Sequence, residues 1–196
     1  MTDILNEIKQ FAAERGLPVL RDAEVPLFQD LLRQARPKRV LEIGTCIGYS
    51  TLQIAPFLSP GGTITTLEIE SERVDLARSF INRSAYGNRI TIMQGDAAAL
   101  LDTLDGPWDF VFMDGPKGQY PGQLQKIMPK LVPGALIVAD NIRYHDMMFI
   151  KGHVPHKHRT AIMRLREFID MIQDDRHFDT VCFENGDGMT VSRWKG

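Results

Sequence analysis

Short apolar runs separated by stretches of helical periodicity constrain this chain more than any other feature. The runs Arg39 to Ile43, Thr63 to Glu68, Arg89 to Met93, Asp109 to Met113 and Ala135 to Ala139 have the length and composition of buried strands. Between them, apolar residues recur at helical spacing. One such stretch covers about residues 3–15 (Ile4, Ile8, Phe11, Ala12) and stops at Gly16; a second covers about 24–35 (Val25, Phe28, Leu31, Leu32) and stops before Pro37. A helix is predicted from Tyr49 to Leu58. Another is capped by Ser71, with Val74, Ala77, Phe80 and Ile81 on its apolar face, and is closed by Gly87. Leu124 to Leu131 reads as a helix ending at Pro133-Gly134, and Thr160 as the cap of a long helix through Ile162, Leu165, Phe168, Ile169 and Ile172. Strand and helix alternating almost from end to end predict an α/β fold, a mostly parallel sheet with helices on both faces. Thr180–Glu184 and Met189–Trp194 flank Asn185-Gly186-Asp187-Gly188, a hairpin signal, so the seventh strand closes a C-terminal antiparallel pair. No repeat, low-complexity tract or linker interrupts the pattern, and 196 residues suit one domain over residues 1–196.

Composition narrows the function classes. A formal net charge of -2 argues against a surface that binds polyanions everywhere. Two cysteines, Cys46 and Cys182, are too few for a disulfide framework, and a reduced cytoplasmic setting follows. The acidic N-terminal segment MTDILNEIKQ is not a secretory signal, and no apolar stretch is long enough to span a membrane.

In open α/β sheets, ligands bind beyond the carboxyl ends of the strands. The first such end reads Glu42-Ile43-Gly44-Thr45-Cys46-Ile47-Gly48-Tyr49-Ser50. Its G-x-x-x-G spacing permits a tight turn and close backbone approach, but it is neither the G-x-G-x-x-G of dinucleotide cradles nor a phosphate loop. A nucleoside suits such a site better than a dinucleotide. Glu68, at the end of the second strand, is placed to accept hydrogen bonds from ribose hydroxyls, and Gly95-Asp96-Ala97 ends the third. Taken singly, the glycines are equally explained as a strand-to-helix turn and Glu68 as a solvated acid; found together at matching strand ends, they favour a site.

The fourth strand ends in Asp114 and the fifth in Asp140-Asn141. Two carboxylates and an amide oxygen form an all-oxygen set suited to Mg²⁺ or a similar hard divalent cation. A cation there lowers the pKa of a bound hydroxyl. A lysine beside a cation and partly buried gives up its proton more readily, which makes Lys117 a candidate base. The plainer alternatives are turn chemistry for Asp114-Gly115 and Asp140-Asn141, and a surface position for Lys117.

VLEIGTCIGYSTL, TLEIE, GDAAALL, DFVFMDGPKGQYP and ALIVADNIRYHD follow, in order, the motifs of the catechol and caffeoyl-CoA O-methyltransferase family, which the chain resembles from about Leu17 to Ser192. The resemblance implies a Rossmann-like seven-stranded fold of the class I methyltransferases. It implies S-adenosylmethionine held by Glu42, Gly44, Gly48, Ser50, Glu68, Asp96, Ala97 and Asp114. It also implies metal at Asp114, Asp140 and Asn141, catalysis by Lys117 with Asp114, and a homodimer, for which the apolar N-terminal helix offers a surface. The acceptor expected is a catechol-like hydroxylated aromatic. A nicotinamide-dependent reductase is the rival in another enzyme class, weakened by the missing G-x-G-x-x-G; a nucleoside- or RNA-binding module with a decayed site is the non-enzymatic one.

Residues 143–166 carry Arg143, Lys151, Lys157, Arg159, Arg164 and Arg166, with His145, His153, His156 and His158, against one acid, Asp146. This local charge suggests an anionic substrate or partner, a phosphorylated small molecule or RNA, and VPHKHRTAIMRLREFID with GDGMTVS resembles a bacterial branch of the family that methylates 5-hydroxyuridine at the tRNA wobble position. The competing explanation is a solvated helix face with a loop. The family often has glycine where this chain has Asp146.

Overall fold

The computed structural model describes residues 1–144, 146–149, 155–184 and 186–196. The chain divides into two compact units, residues 1–100 and 101–196.

The first unit opens with helices α1 (Thr2–Arg15) and α2 (Val25–Ala35) and then alternates β1 (Arg39–Ile43), α3 (Tyr49–Ile54), β2 (Thr63–Glu68), α4 (Ser71–Asn82) and β3 (Ile90–Gln94). The three strands are parallel in the order β3-β2-β1, with Leu41 opposite Thr65 and Thr65 opposite Thr91. Val40, Leu41, Ile43, Ile64 and Leu67 are buried, as an apolar run within a parallel sheet requires. Gly16 ends α1 in the left-handed region at φ 63, returning its N–H to Ala12 O. The apolar stripe of α1, Ile8 and Ala12, is buried within this unit, and Phe11 stacks edge-on to Phe80 of α4 at 5.9 Å. Ser71 is the first residue of α4 rather than its cap; Glu70 occupies the cap position and makes no side-chain bond there. Gly87 lies beyond the end of α4, in a short 3₁₀ turn over Gly87–Arg89.

Helix α5 (Ala97–Thr103) is not predicted by the periodicity of the sequence. Asp96 nucleates it by accepting the Ala99 N–H at 3.1 Å, a cap that a helix of two turns needs more than periodicity.

The second unit contains β4 (Trp108–Met113), α6 (Tyr120–Ile127), β5 (Leu131–Asp140), α7 (His156–Ile172), β6 (Phe178–Phe183) and β7 (Met189–Trp194). Its strand order is β4-β5-β7-β6; β4 and β5 are parallel, and β7 runs antiparallel to both of its neighbours. Phe110, Phe112, Val138, Leu124 and Phe168 fill its core. α6 starts and ends earlier than its periodicity predicts. Pro121 is accommodated in its first turn, whereas Pro129 lacks the N–H needed to continue the helix, and a 3₁₀ turn over Met128–Lys130 replaces the last turn. α7 starts at His156, after Pro155, so Thr160 lies inside it. The predicted hairpin forms, with Val181 opposite Val191; Asn185 of its turn lies outside the described residues. Among the described residues, no helix is long and apolar enough to cross a membrane.

Candidate active site

In the first unit the turn after β1 is built by backbone geometry. Gly44 and Gly48 have φ 99 and 87, and Cys46 between them has φ 48, all in the region that favours glycine. Gly44 N–H and Thr45 N–H both donate to Leu67 O, at 3.0 and 3.1 Å, and Gly48 N–H donates to Thr45 O at 2.8 Å. Gly48 also admits α4: a Cβ there would stand 3.3 Å from Ile81 Cδ1. Ser50 follows, nearly buried in the first turn of α3.

Two acids flank this turn in different roles. Glu42 is fully buried; its Oε2 accepts the hydroxyls of Thr66, at 2.6 Å, and of Thr51, which join β1 to β2 and α3. Glu68 ends β2 with its carboxylate held by main chain. Oε2 accepts the Cys46 N–H at 2.8 Å, and Oε1 accepts the N–H groups of Ile69 and Glu70 at 2.9 and 3.0 Å. A carboxylate offers about four acceptor positions, so capacity remains for a ligand hydroxyl. Ile69, next to Glu68, is 56% exposed, an apolar side chain in water beside that carboxylate. In the sequence it reads only as a continuation of the strand's apolar run. Gly95 N–H donates to Glu68 O at 2.8 Å, which brings the Asp96-Ala97 segment to the end of β2.

In the second unit the register of β4 and β5 pairs Met113 with Ala139, so Asp114 and Asp140 follow side by side at neighbouring strand tips, where parallel strands lie about 4.8 Å apart. The chain then turns into a 3₁₀ segment, Lys117–Gln119, that returns Lys117 to Asp114. Lys117 Nζ donates to Asp114 Oδ1 at 3.1 Å and to Tyr120 Oη at 2.7 Å, with 9% of its side chain exposed. Burial pushes the Asp114 carboxyl above the usual range, against the opposing pull of the Lys117 charge and hydrogen bond. Asp140 is buried, and its Oδ1 accepts the N–H of Asn141 at 2.7 Å; Asn141 adopts φ 55, a left-handed conformation that asparagine tolerates.

Tyr120 is the residue that sequence reasoning missed here. Its hydroxyl accepts from Lys117, donates to Met113 O at 2.7 Å and lies 3.3 Å from Asp140 O. Burial, and then the charges of Asp114 and Asp140, push its pKa well above the ordinary tyrosine value. A signal was present, since the first turn of α6 places Tyr120 three residues after Lys117, but an isolated tyrosine reads as core.

Among the described residues, no three His, Cys, Asp or Glu gather as a metal cluster. Asp114 and Asp140 stand at adjacent strand tips with Asn141 next in the chain; two carboxylates and an amide are hard oxygen donors, the chemistry that suits Mg²⁺ or Mn²⁺.

The segment after Asn141 is anchored to the β6–β7 turn. Ile142 N–H donates to Gly188 O at 3.1 Å and Arg143 N–H to Asp187 O at 2.8 Å. Gly188 has φ 80, and a Cβ there would lie 2.6 Å from Arg143 Cγ. Arg143 pairs with Asp146 at 2.6 Å, donates to Glu184 O at 3.0 Å and lies over the Phe149 ring. Asp146 has φ 61, in the left-handed region that favours glycine. Tyr144 Oη lies 3.2 Å from His158 Nδ1, Arg164 pairs with Glu167 at 2.7 Å, and Arg166 donates to Met148 O. His145, Lys151 and His153 lie outside the described residues.

A family model described as O-methyltransferase matches residues 2–195. Caffeoyl-CoA O-methyltransferase 2 of Zea mays is 30% identical over 174 residues, covering 83% of this chain and 65% of its own length. A catechol O-methyltransferase of Niastella koreensis is 33% identical over 136 residues, covering 66% of this chain and 62% of its own. The chain therefore spans less than two thirds of either relative. The crystal structure of an O-methyltransferase from Bacillus cereus in complex with SAH superimposes with a TM-score of 0.88 at 26% identity, covering 98% of this chain and 91% of that one. The fold class is the one expected, a seven-stranded, mostly parallel Rossmann-like sheet with a C-terminal antiparallel hairpin.

Proposed function

This chain belongs to the O-methyltransferase family, and from that premise we propose that it moves the methyl group of S-adenosylmethionine to a hydroxyl with a second oxygen beside it, as in a catechol. The reading treats residues 1–196 as one catalytic domain. The observation that carries it is the pairing of Asp114 and Asp140 at register-adjacent strand tips with Lys117 Nζ 3.1 Å from Asp114.

Glu68 accepts the ribose hydroxyls, while the Gly44–Gly48 turn, Ser50 and the Asp96-Ala97 segment take the rest of the cofactor; Glu42 keeps that turn in shape through Thr51 and Thr66. S-adenosylmethionine supplies a methyl group made electrophilic by its sulfonium. Asp114, Asp140 and Asn141 would hold a divalent cation such as Mg²⁺, whose charge favours the ionised form of a nearby hydroxyl. Lys117 Nζ receives the acceptor's proton. The acceptor oxygen forms the new O–CH₃ bond with its lone pair, and the C–S bond breaks with its electrons returning to sulfur. Lys117 then returns the proton to water. Holding both reactants contributes the remainder of the rate.

A small phenolic acceptor is favoured over tRNA because Arg143 and Arg164 are already engaged with Asp146 and Glu167. The test is methyl transfer to catechols, caffeoyl thioesters and hydroxyuridine-containing tRNA, followed by mass spectrometry, before and after exhaustive chelation. Methylated catechol, lost on chelation and restored by Mg²⁺, is the expected result. Undiminished transfer after chelation removes the cation from the reading. Methylation of the tRNA alone changes the acceptor, and no transfer to any of the three removes the activity.

A further inference from the structure

Among the described residues Tyr120 is the largest fully buried side chain, yet its polar end sits beside Lys117. A buried phenol is retained where its hydroxyl is satisfied. With one hydrogen to donate, Tyr120 donates to Met113 O at 2.7 Å, with Asp140 O a longer second neighbour at 3.3 Å, and accepts from Lys117 Nζ at 2.7 Å. Those two carbonyls belong to the tips of β4 and β5, immediately before Asp114 and Asn141. The ring is set by the core, edge-on to Phe168 of α7 at 5.1 Å and 68°. The position of the hydroxyl is therefore fixed by packing and passed on to the lysine.

We infer that Tyr120 is a positioning residue for proton transfer: its hydroxyl and Asp114 Oδ1 together fix the direction from which Lys117 Nζ meets the acceptor. The inference rests on the O-methyltransferase reading above. The lysine nitrogen is tetrahedral. One bond goes to its own side chain, and two N–H groups are directed at Asp114 and Tyr120. The remaining direction is the one left for the acceptor, and the two anchors set where it points. Without the hydroxyl, a flexible four-carbon stem is tethered at one point only.

The variant Tyr120→Phe removes the hydroxyl and keeps the ring against Phe168. Turnover of catechol is expected to fall on the order of 10- to 100-fold, the cost of misplacing a reacting group by about 1 Å. The KM for S-adenosylmethionine and calorimetric SAH binding should stay unchanged. Phe178→Leu, at a buried ring packed on Trp194 and not on Tyr120, is the control for lost stability; it should lower Tm yet leave turnover per folded molecule near wild type. The inference is overturned if Tyr120→Phe keeps wild-type turnover, or if Phe178→Leu loses as much. A crystal structure of Tyr120→Phe gives a readout that needs no turnover: Lys117 Nζ should leave its present place beside Asp114, and an unmoved lysine overturns the inference. Should the wild type methylate no acceptor while Lys117 still moves in the variant, the O-methyltransferase reading falls and the positioning of Lys117 by Tyr120 stands.

Discussion

In the first unit the central carboxylate, Glu68, is held by the main chain, through the N–H groups of Cys46, Ile69 and Glu70. In the second, Asp114 is held by a side chain, Lys117, which is itself held by another, Tyr120. Backbone donors remain when neighbouring side chains change, so the first site depends on few identities: Glu68 and the glycines that let the turn form. A network of side chains depends on every member, because each loss leaves a buried polar group behind. The difference suits the two tasks proposed. A cofactor that is always the same is met by a rigid frame, while a proton that must move is met by groups that can exchange it.

Substitutions that separate the two units test this contrast. The largest effect is expected from Lys117→Ala. Loss of a general base costs about 10²- to 10⁴-fold in turnover, measured by steady-state kinetics, while SAH affinity stays at wild type; a parallel loss of SAH binding would break the separation of tasks. Next comes Glu68→Ala. Charge-assisted hydrogen bonds of about 1.5–3 kcal/mol translate into SAH affinity weakened roughly 10- to 100-fold by calorimetry, with turnover at saturating cofactor much less changed. Gly48→Ala should act through stability. At φ 87 with Ile81 Cδ1 3.3 Å from the new methyl, it is expected to cost about 1–2 kcal/mol, seen as a Tm lower by several degrees. Asp146→Gly should be the mildest. It relieves a left-handed aspartate at φ 61 but removes the partner of Arg143, so the net change should stay within about 0.5 kcal/mol in a denaturant titration.

How far each region was legible follows from how it is built. Residues 39–43, 63–68 and 189–194 form strands at their predicted bounds, because a buried strand needs a continuous apolar or β-branched run and little else. α5 went unseen because seven residues cannot show helical periodicity, and the cap of Asp96 rather than a hydrophobic face sets its start. α6 was displaced because Pro129 breaks a pattern that its apolar residues would have continued. Among candidate site residues, Asp114 and Asp140 stand at adjacent strand tips of one unit with Lys117 beside Asp114, and Gly44, Gly48, Ser50, Glu68, Asp96 and Ala97 follow the strand ends of the other. Glu42 is bonded to Thr51 and Thr66, and Tyr120, which nothing in composition singles out, links Lys117 to both strand tips.

The sequence by itself determined the order of strands and helices, the glycine turns and the residue types available at each strand end, since these follow from local sterics and from the periodicity of burial. Only the tertiary structure decided which of those residues meet. The β4–β5 register sets Asp114 beside Asp140, the left-handed backbone at Asn141 and Asp146 turns the chain past them, and the packing of Tyr120 against Phe168 aims a hydroxyl at Lys117. Such meetings depend on strand pairing and on side chains distant in sequence, and no local pattern carries that information.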